Sequence, residues 1–132
     1  MLKISKEFDY AVQLITALAS LKEKDELLSL KKFSQESNIS FLFLQRIARS
    51  LKQAGLIDSV RGVKGGYKMK KEATKITLKD ILTATEGKVP SISKCIADKN
   101  LCKKSAKCNA RILFSKINKE LLTYLEKTPI IG

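Results

Sequence analysis

The chain has 132 residues, 44% of them hydrophobic, and it carries 26 lysine and arginine residues against 13 acids. This length and composition predict one compact domain with a real core and exclude an intrinsically disordered chain. The formal net charge of +13 favours a polyanionic partner, nucleic acid before an anionic membrane or an acidic protein. The chain lacks histidine, the commonest general base, and contains no phosphate-binding loop, so an enzyme is not expected.

The N-terminal stretch is not expected to carry a targeting signal. Residues 1–25 lack a long apolar run and a small-residue cleavage site, so neither a secretory signal nor a membrane span is expected. We therefore expect a cytoplasmic protein in a reducing environment, where disulfide frameworks are uncommon.

Three helices are predicted in the first part of the chain. Ser5 can cap a helix that runs to about Lys24, with apolar residues recurring at helical spacing. Ser29 can cap a short second helix, LKKFSQES, which Asn38 can end in the left-handed conformation. Ser40 can cap a third helix, FLFLQRIARSLKQA, so two helices meet across a tight turn.

The third helix has a cationic face. Gln45, Arg46 and Arg49, together with Lys52 and Gln53, lie opposite its apolar face by helical geometry. The segments LIDSV and YKMK that follow are predicted to be strands flanking a glycine-rich turn, which makes a basic β-hairpin.

This order of elements predicts a mainly α fold with a small β-hairpin wing, a winged helix-turn-helix. Its recognition helix fits the major groove, and its hairpin reaches along the DNA backbone or into the minor groove. The alternative is a three-helix core whose charges only keep the protein soluble. The aromatic residues Phe41 and Phe43 can either touch DNA or fold back onto the core.

The second half of the chain is predicted to be helical on both sides of a cysteine-containing loop. Thr77 and Asp80 make a capping-box pattern before the helix in TLKDILTATEG. Residues 109–126 are predicted to form a long last helix with an apolar stripe. The expected divisions are a DNA-binding part at 1–87, a cysteine loop at 88–108, and a dimerisation helix and tail at 109–132, within one compact domain overall.

Several segments carry a family resemblance. KISKEFDYAVQLITALA, ISFLFLQRIARSLKQAGLIDSVRG, SVRGVKGGY and ITLKDILTATEG, followed by the three-cysteine loop, resemble the Rrf-two (Rrf2) family of winged helix-turn-helix transcriptional regulators. The chain departs from that pattern at Val63 and Lys64, where a Pro-Gly is common. The resemblance implies DNA contacts from Ser40, Phe43, Gln45 and Arg46, and an arginine, Arg61, in the minor groove.

The candidate DNA-contacting residues therefore lie on the recognition helix and the wing. They are Ser40, Phe41, Phe43, Gln45, Arg46, Arg49, Arg61, Lys64, Gly65, Gly66 and Tyr67. Glycines in the hairpin turn permit a close approach to phosphates, and the basic side chains suit the negative potential of a narrow minor groove.

The three cysteines of the chain are Cys95, Cys102 and Cys108. One intramolecular disulfide leaves a cysteine over, and the spacing disfavours a structural zinc site without excluding it. The resemblance implies an iron-sulfur cluster on these thiolates, with four irons expected rather than two. Some family members use a histidine as the fourth ligand, which this chain lacks; the resemblance points instead to Asp9 from the partner subunit.

The position of Asp9 also has an explanation without metal. Acids in the first turn of a helix are favoured by the helix dipole. Glu7 and water are further candidates for the fourth ligand.

The expected function is a homodimeric transcriptional repressor that binds a pseudo-palindromic operator in double-stranded DNA. The last helix would form the dimer, and the cluster would respond to nitric oxide, redox state or iron-sulfur status. Two alternatives stay open: the same DNA-binding fold controlled by cysteine thiols or by a partner enzyme, and a small metal-binding or electron-transfer protein.

Overall fold

The computed structural model describes residues 4–23, 25–87 and 109–130. Within these ranges the chain is mainly helical with a single β-hairpin, which confirms the predicted fold class. The elements in chain order are α1 (Lys6–Ala19), α2 (Leu30–Ser37), α3 (Phe41–Gln53), β1 (Ile57–Val60), β2 (Gly66–Met69), a short 3-10 helix (Ala73–Lys75), α4 (Leu78–Glu86) and α5 (Asn109–Lys127).

The core is one cluster of aliphatic side chains contributed mainly by α1, α3, α4 and the hairpin, with Leu30 from α2. Apolar residues at helical spacing place one face of each helix inward, as the sequence pattern predicts. The largest fully buried side chains are Leu14, Ile15, Leu18, Leu44, Leu51, Ile57, Ile76 and Ile81.

The first helix is shorter than predicted. It ends at Ala19, not near Lys24. The Glu26 carboxylate accepts hydrogen bonds from the backbone N–H groups of Lys22 and Glu23, at 3.1 and 3.3 Å. This side chain draws those two N–H groups into a turn, so they cannot continue the helical ladder.

The helix-turn-helix forms at the predicted residues. Ser29 Oγ accepts a hydrogen bond from the Lys32 N–H at 3.3 Å and so caps α2. Asn38 ends α2 in the left-handed conformation, with φ 60° and ψ 33°. Ser40 precedes α3 as predicted, but its side chain makes no capping hydrogen bond.

The wing is an antiparallel pair in which Ile57 lies opposite Met69 and Val60 opposite Gly66. A further strand-like contact lies outside the predicted hairpin. Leu28 and Tyr67 exchange two backbone hydrogen bonds of 2.8 and 2.9 Å, so the apolar residues before α2 extend the sheet. The wing is therefore attached at its base to the helix-turn-helix.

The capping box before α4 is present, since Thr77 Oγ1 accepts from the Asp80 N–H and Asp80 Oδ2 accepts from the Thr77 N–H. After α5 the chain returns to this point. The Leu78 N–H donates to the Thr128 carbonyl and the Ile130 N–H donates to the Ile76 carbonyl, each at 3.1 Å. These two hydrogen bonds join the residues after α5 to the residues at the start of α4, so they fix where the end of α5 lies on the domain.

Residues 88–108, where the sequence predicts the cysteine loop, lie outside the described residues. In the part of the chain that the structure covers, every helix is too short or too polar to span a membrane.

Candidate nucleic-acid interface

The outward face of α3 is polar and cationic. Gln45, Arg46 and Arg49 are exposed, whereas the opposite face of the helix is buried in the core. No acidic residue occurs in α3. The helix therefore presents amide and guanidinium groups, the two side-chain types that pair with adenine and guanine in the major groove.

The wing presents a second basic surface. Arg61 and Lys64 are exposed, and Val63 between them is fully exposed at the turn. The turn is closed by a hydrogen bond of 2.9 Å from the Gly65 N–H to the Gly62 carbonyl, and Gly62 has a φ of 120°. This backbone needs glycine, because a side chain is rarely found at such a φ.

Contacts between α3 and the hairpin place the two surfaces side by side. Lys52 Nζ donates a hydrogen bond of 2.7 Å to Ser59 Oγ on β1. The Leu56 N–H donates to the Leu51 carbonyl, and the Lys70 N–H donates to the Leu56 carbonyl, both at 3.1 Å. The end of α3 and the base of the wing are thus held together by direct hydrogen bonds.

Phe43 packs inward. It is half-buried against the core, and its ring meets Tyr10 edge-to-face with centroids 5.4 Å apart and planes at 84°. The guanidinium carbon of Arg46 lies 5.5 Å from the centre of the same ring. Phe43 therefore supports Arg46 through a cation–π contact. Phe41, at the start of the helix, is 38% exposed, and its neighbour Ser40 is exposed with a hydroxyl that caps no helix N–H.

The remaining wing candidates lie nearer its base. Tyr67 is half-buried and pairs with Leu28, while a Cβ added to Gly66 would lie 2.6 Å from the Leu28 carbonyl oxygen. A Cβ on Gly65 would meet the Val60 carbonyl oxygen. These two glycines are thus required by close backbone packing within the wing and at its base.

A polar cavity of about 280 Å³ lies behind Arg46, between α1, α3 and the end of α4. Its lining includes Glu7, Ser50 and Glu86. The Arg46 side chain therefore lies over one aromatic ring and beside an open polar space, and none of the described residues forms an ion pair with it.

Leu42 is a surface residue that the sequence reasoning missed. It is 73% exposed, and it lies between Gln45, Arg46 and Arg49 on the helical wheel. Helical spacing could have identified its exposure, because Leu42 falls on the face of α3 opposite the buried leucines.

The predicted metal-site residues are only partly described. Asp9 is exposed on the first turn of α1, and its Oδ1 accepts a hydrogen bond of 3.1 Å from Gln13 Nε2. In residues 4–23, 25–87 and 109–130, no group of three or more acidic, histidine or cysteine residues is placed to hold a metal. Cys95, Cys102 and Cys108 lie outside those ranges.

The last helix carries exposed apolar side chains along one stripe. Leu113, Ile117 and Tyr124 are 58%, 53% and 67% exposed, while Leu121 and Leu125 are half-buried. The domain itself therefore partly covers Leu121 and Leu125 of the predicted stripe of Ile117, Leu121 and Leu125. The exposed apolar stripe of this helix consists of Leu113, Ile117 and Tyr124.

The chain is similar in sequence and in fold to known transcriptional regulators. The Rrf2 model, described as an iron-dependent transcriptional regulator, matches residues 4–130. The chain is 36% identical over 86 residues to the HTH-type transcriptional regulator IscR of Cereibacter sphaeroides, a match covering 64% of this chain and 56% of that protein. It is 34% identical over 91 residues to the HTH-type transcriptional regulator CymR of Bacillus subtilis, covering 69% of this chain and 65% of that protein.

Thus the matched stretch spans less than two thirds of each of these curated relatives. A solved structure of CymR, the global cysteine regulator of B. subtilis, superposes with a TM-score of 0.75 at 31% identity, over 98% of this chain and 94% of that one. Because the family model covers nearly the whole chain and these relatives are regulators, not enzymes, the chain belongs to the Rrf2 family of transcriptional regulators.

Proposed function

We propose that the protein is a homodimeric repressor that binds a pseudo-palindromic operator in double-stranded DNA. The observation that carries this proposal is the joined surface of α3 and the wing. From Phe41 to Lys71 the sequence contains a single acid, Asp58, and the two basic surfaces are connected by the Lys52–Ser59 hydrogen bond. A basic surface built on a rigid helix and hairpin suits the major groove and its flanking backbone.

Each part of this surface has a distinct task in the proposal. Gln45, Arg46 and Arg49 contact base edges in the major groove, where an arginine pairs with guanine and a glutamine with adenine. The Ser40 hydroxyl, free of any capping hydrogen bond, contacts a phosphate at the start of α3. Arg61 enters the adjacent minor groove.

Two arginine variants and a lysine control test the DNA-binding proposal. Arg46→Ala or Arg61→Ala should weaken binding to a selected duplex by about 1–3 kcal/mol, the loss of one base or groove contact. Lys70→Ala should weaken specific and random duplexes alike, because an exposed lysine at the wing base contacts a phosphate at most. Fluorescence anisotropy at one fixed salt concentration measures all three. Unchanged affinity in both arginine variants would overturn the proposal.

For dimer formation we propose that α5 pairs with α5 of a second copy. Its exposed Leu113, Ile117 and Tyr124 form an apolar stripe that one small domain leaves in water. A two-fold axis would bury the same stripe from both subunits and would set the spacing of the two recognition helices on the operator.

For signal sensing we propose that Cys95, Cys102 and Cys108 hold an iron-sulfur cluster of four irons, with Asp9 of the partner subunit as the fourth ligand. Three thiolates and one carboxylate suit such a cluster, and Asp9 is exposed and so accessible to a second subunit. The matching family model is described as iron-dependent. When bound, a cluster supplies a group that responds to redox state and nitric oxide. The residues of α3 and the wing contribute the DNA-binding surface that such a response would regulate.

The cluster proposal is tested by spectroscopy of anaerobically purified protein. Each Cys→Ser variant should lose the visible absorption together with bound iron and sulfide, because two thiolates make a poor cage. Asp9→Ala should still assemble the cluster but lose it faster, since it removes only the carboxylate ligand. Wild-type spectra in all three serine variants, or zinc without sulfide, would contradict the cluster.

A second mode of regulation is supported by the likeness to CymR. That protein is described as a global cysteine regulator, and its structure aligns over nearly all of this chain. In this alternative the same DNA-binding fold responds through its cysteine thiols or through a partner enzyme. DNA affinity that changes with thiol oxidation in metal-free protein would favour it. Membership of a regulator family argues against a small electron-transfer protein.

A further inference from the structure

We propose that Leu42 is a specificity residue that contacts a thymine methyl group in the major groove of the operator. This inference rests on the proposed DNA-binding function and deepens it, because it identifies the base at one position of the operator that α3 contacts.

Leu42 is the most exposed large apolar residue of α3. Its side chain is 73% exposed, whereas the core-facing Leu44 and Leu51 are fully buried. The fold therefore does not use the Leu42 side chain for its own core. Residues three, four and seven positions further along a helix lie on the same face, and here these are Gln45, Arg46 and Arg49. The leucine lies at the centre of the proposed contact surface.

The positive charge around Leu42 indicates which kind of molecule its side chain contacts. An isolated exposed leucine on a protein surface is ordinary and needs no ligand. This one is flanked by two arginines on a helix without acids, and such a surface attracts a polyanion. On the major-groove edges of DNA, the thymine C5-methyl is the apolar group that side chains contact. A leucine among arginines therefore fits a thymine beside bases that pair with arginine or glutamine.

Phe41 adds to the same apolar contact. It precedes Leu42 at the start of α3 and is 38% exposed. Together the two side chains give the N-terminal end of the recognition helix an apolar edge, while Gln45 and Arg46 provide the hydrogen-bonding groups one turn later. We expect each half-site to contain a thymine next to a purine that pairs with one of these two residues.

The experiment uses the full chain and a duplex selected by it from a random library. Each thymine of the selected half-site is replaced in turn by deoxyuridine, which removes only the methyl group. At one thymine, wild-type affinity should fall about fourfold, the effect of returning one methyl-sized group to water. Leu42→Ala should bind thymine and deoxyuridine duplexes alike at that position.

Val63→Ala is the matched control. Val63 is also an exposed apolar residue, but it lies on the wing, outside the proposed DNA-contacting residues, and the minor groove displays no thymine methyl. This variant should keep the thymine preference of the wild type. The inference is overturned if no thymine is sensitive to the replacement, or if Leu42→Ala keeps the full preference. If the wild type enriches no sequence at all, the DNA-binding proposal itself fails.

Discussion

Replacement of Phe43 by leucine separates a supporting role of this ring from a direct contact with DNA. Leucine keeps much of the apolar burial but removes two interactions of the aromatic ring. The edge-to-face contact with Tyr10 at 5.4 Å contributes about 0.5–1.5 kcal/mol. The Arg46 guanidinium at 5.5 Å contributes about 0.5–1 kcal/mol, since that arginine is exposed. We therefore expect Phe43→Leu to lower the free energy of unfolding by about 1–2.5 kcal/mol.

Urea denaturation followed by circular dichroism, at one protein concentration, measures this loss. A double-mutant cycle with Arg46→Ala should give a coupling of about 0.5–1 kcal/mol, equal to the cation–π contact. Phe41→Leu is the matched control on the same helix, and it should change stability by less than about 0.5 kcal/mol because Phe41 lies at the surface.

The DNA-binding result decides between the two roles. If the ring only supports Arg46, Phe43→Leu should weaken specific DNA binding by no more than about 1 kcal/mol, less than Arg46→Ala does. A variant of unchanged stability that loses DNA binding as severely as Arg46→Ala would refute this reasoning. It would show that the ring itself contacts DNA.

Three further predictions concern the wing, the dimer and the start of α4. Gly65→Ala should weaken DNA binding at least as much as Arg61→Ala with little change in the thermal midpoint, because the new Cβ meets the Val60 carbonyl and distorts only the wing turn. Fluorescence anisotropy measures the binding and circular dichroism the thermal midpoint, and normal binding would contradict this prediction. Ile117→Glu should yield folded monomers in sedimentation experiments, since this side chain is 53% exposed and a charge there opposes helix pairing; a persistent dimer would place the interface elsewhere. Thr77→Ala should cost about 1 kcal/mol of stability in urea through loss of the helix cap, and an unchanged unfolding midpoint would rule that contribution out.

The features that depend on neighbouring residues could be predicted from the sequence alone. Ser29 and Asn38 mark the ends of α2, and Thr77 with Asp80 marks the start of α4, because capping groups act within one turn of the helix. The apolar spacing of α3 likewise assigned its buried and exposed faces. These signals are local, so they survive without knowledge of the fold.

The features that depend on contacts between distant segments became apparent only in the folded chain. Glu26 ends α1 early, Leu28 joins the sheet beside Tyr67, and Ile130 returns to Ile76. Phe43 turns inward because Tyr10, on another helix, offers its ring a partner. Each outcome depends on the relative placement of two elements, and capping patterns or periodicity within one element carry no information about that placement.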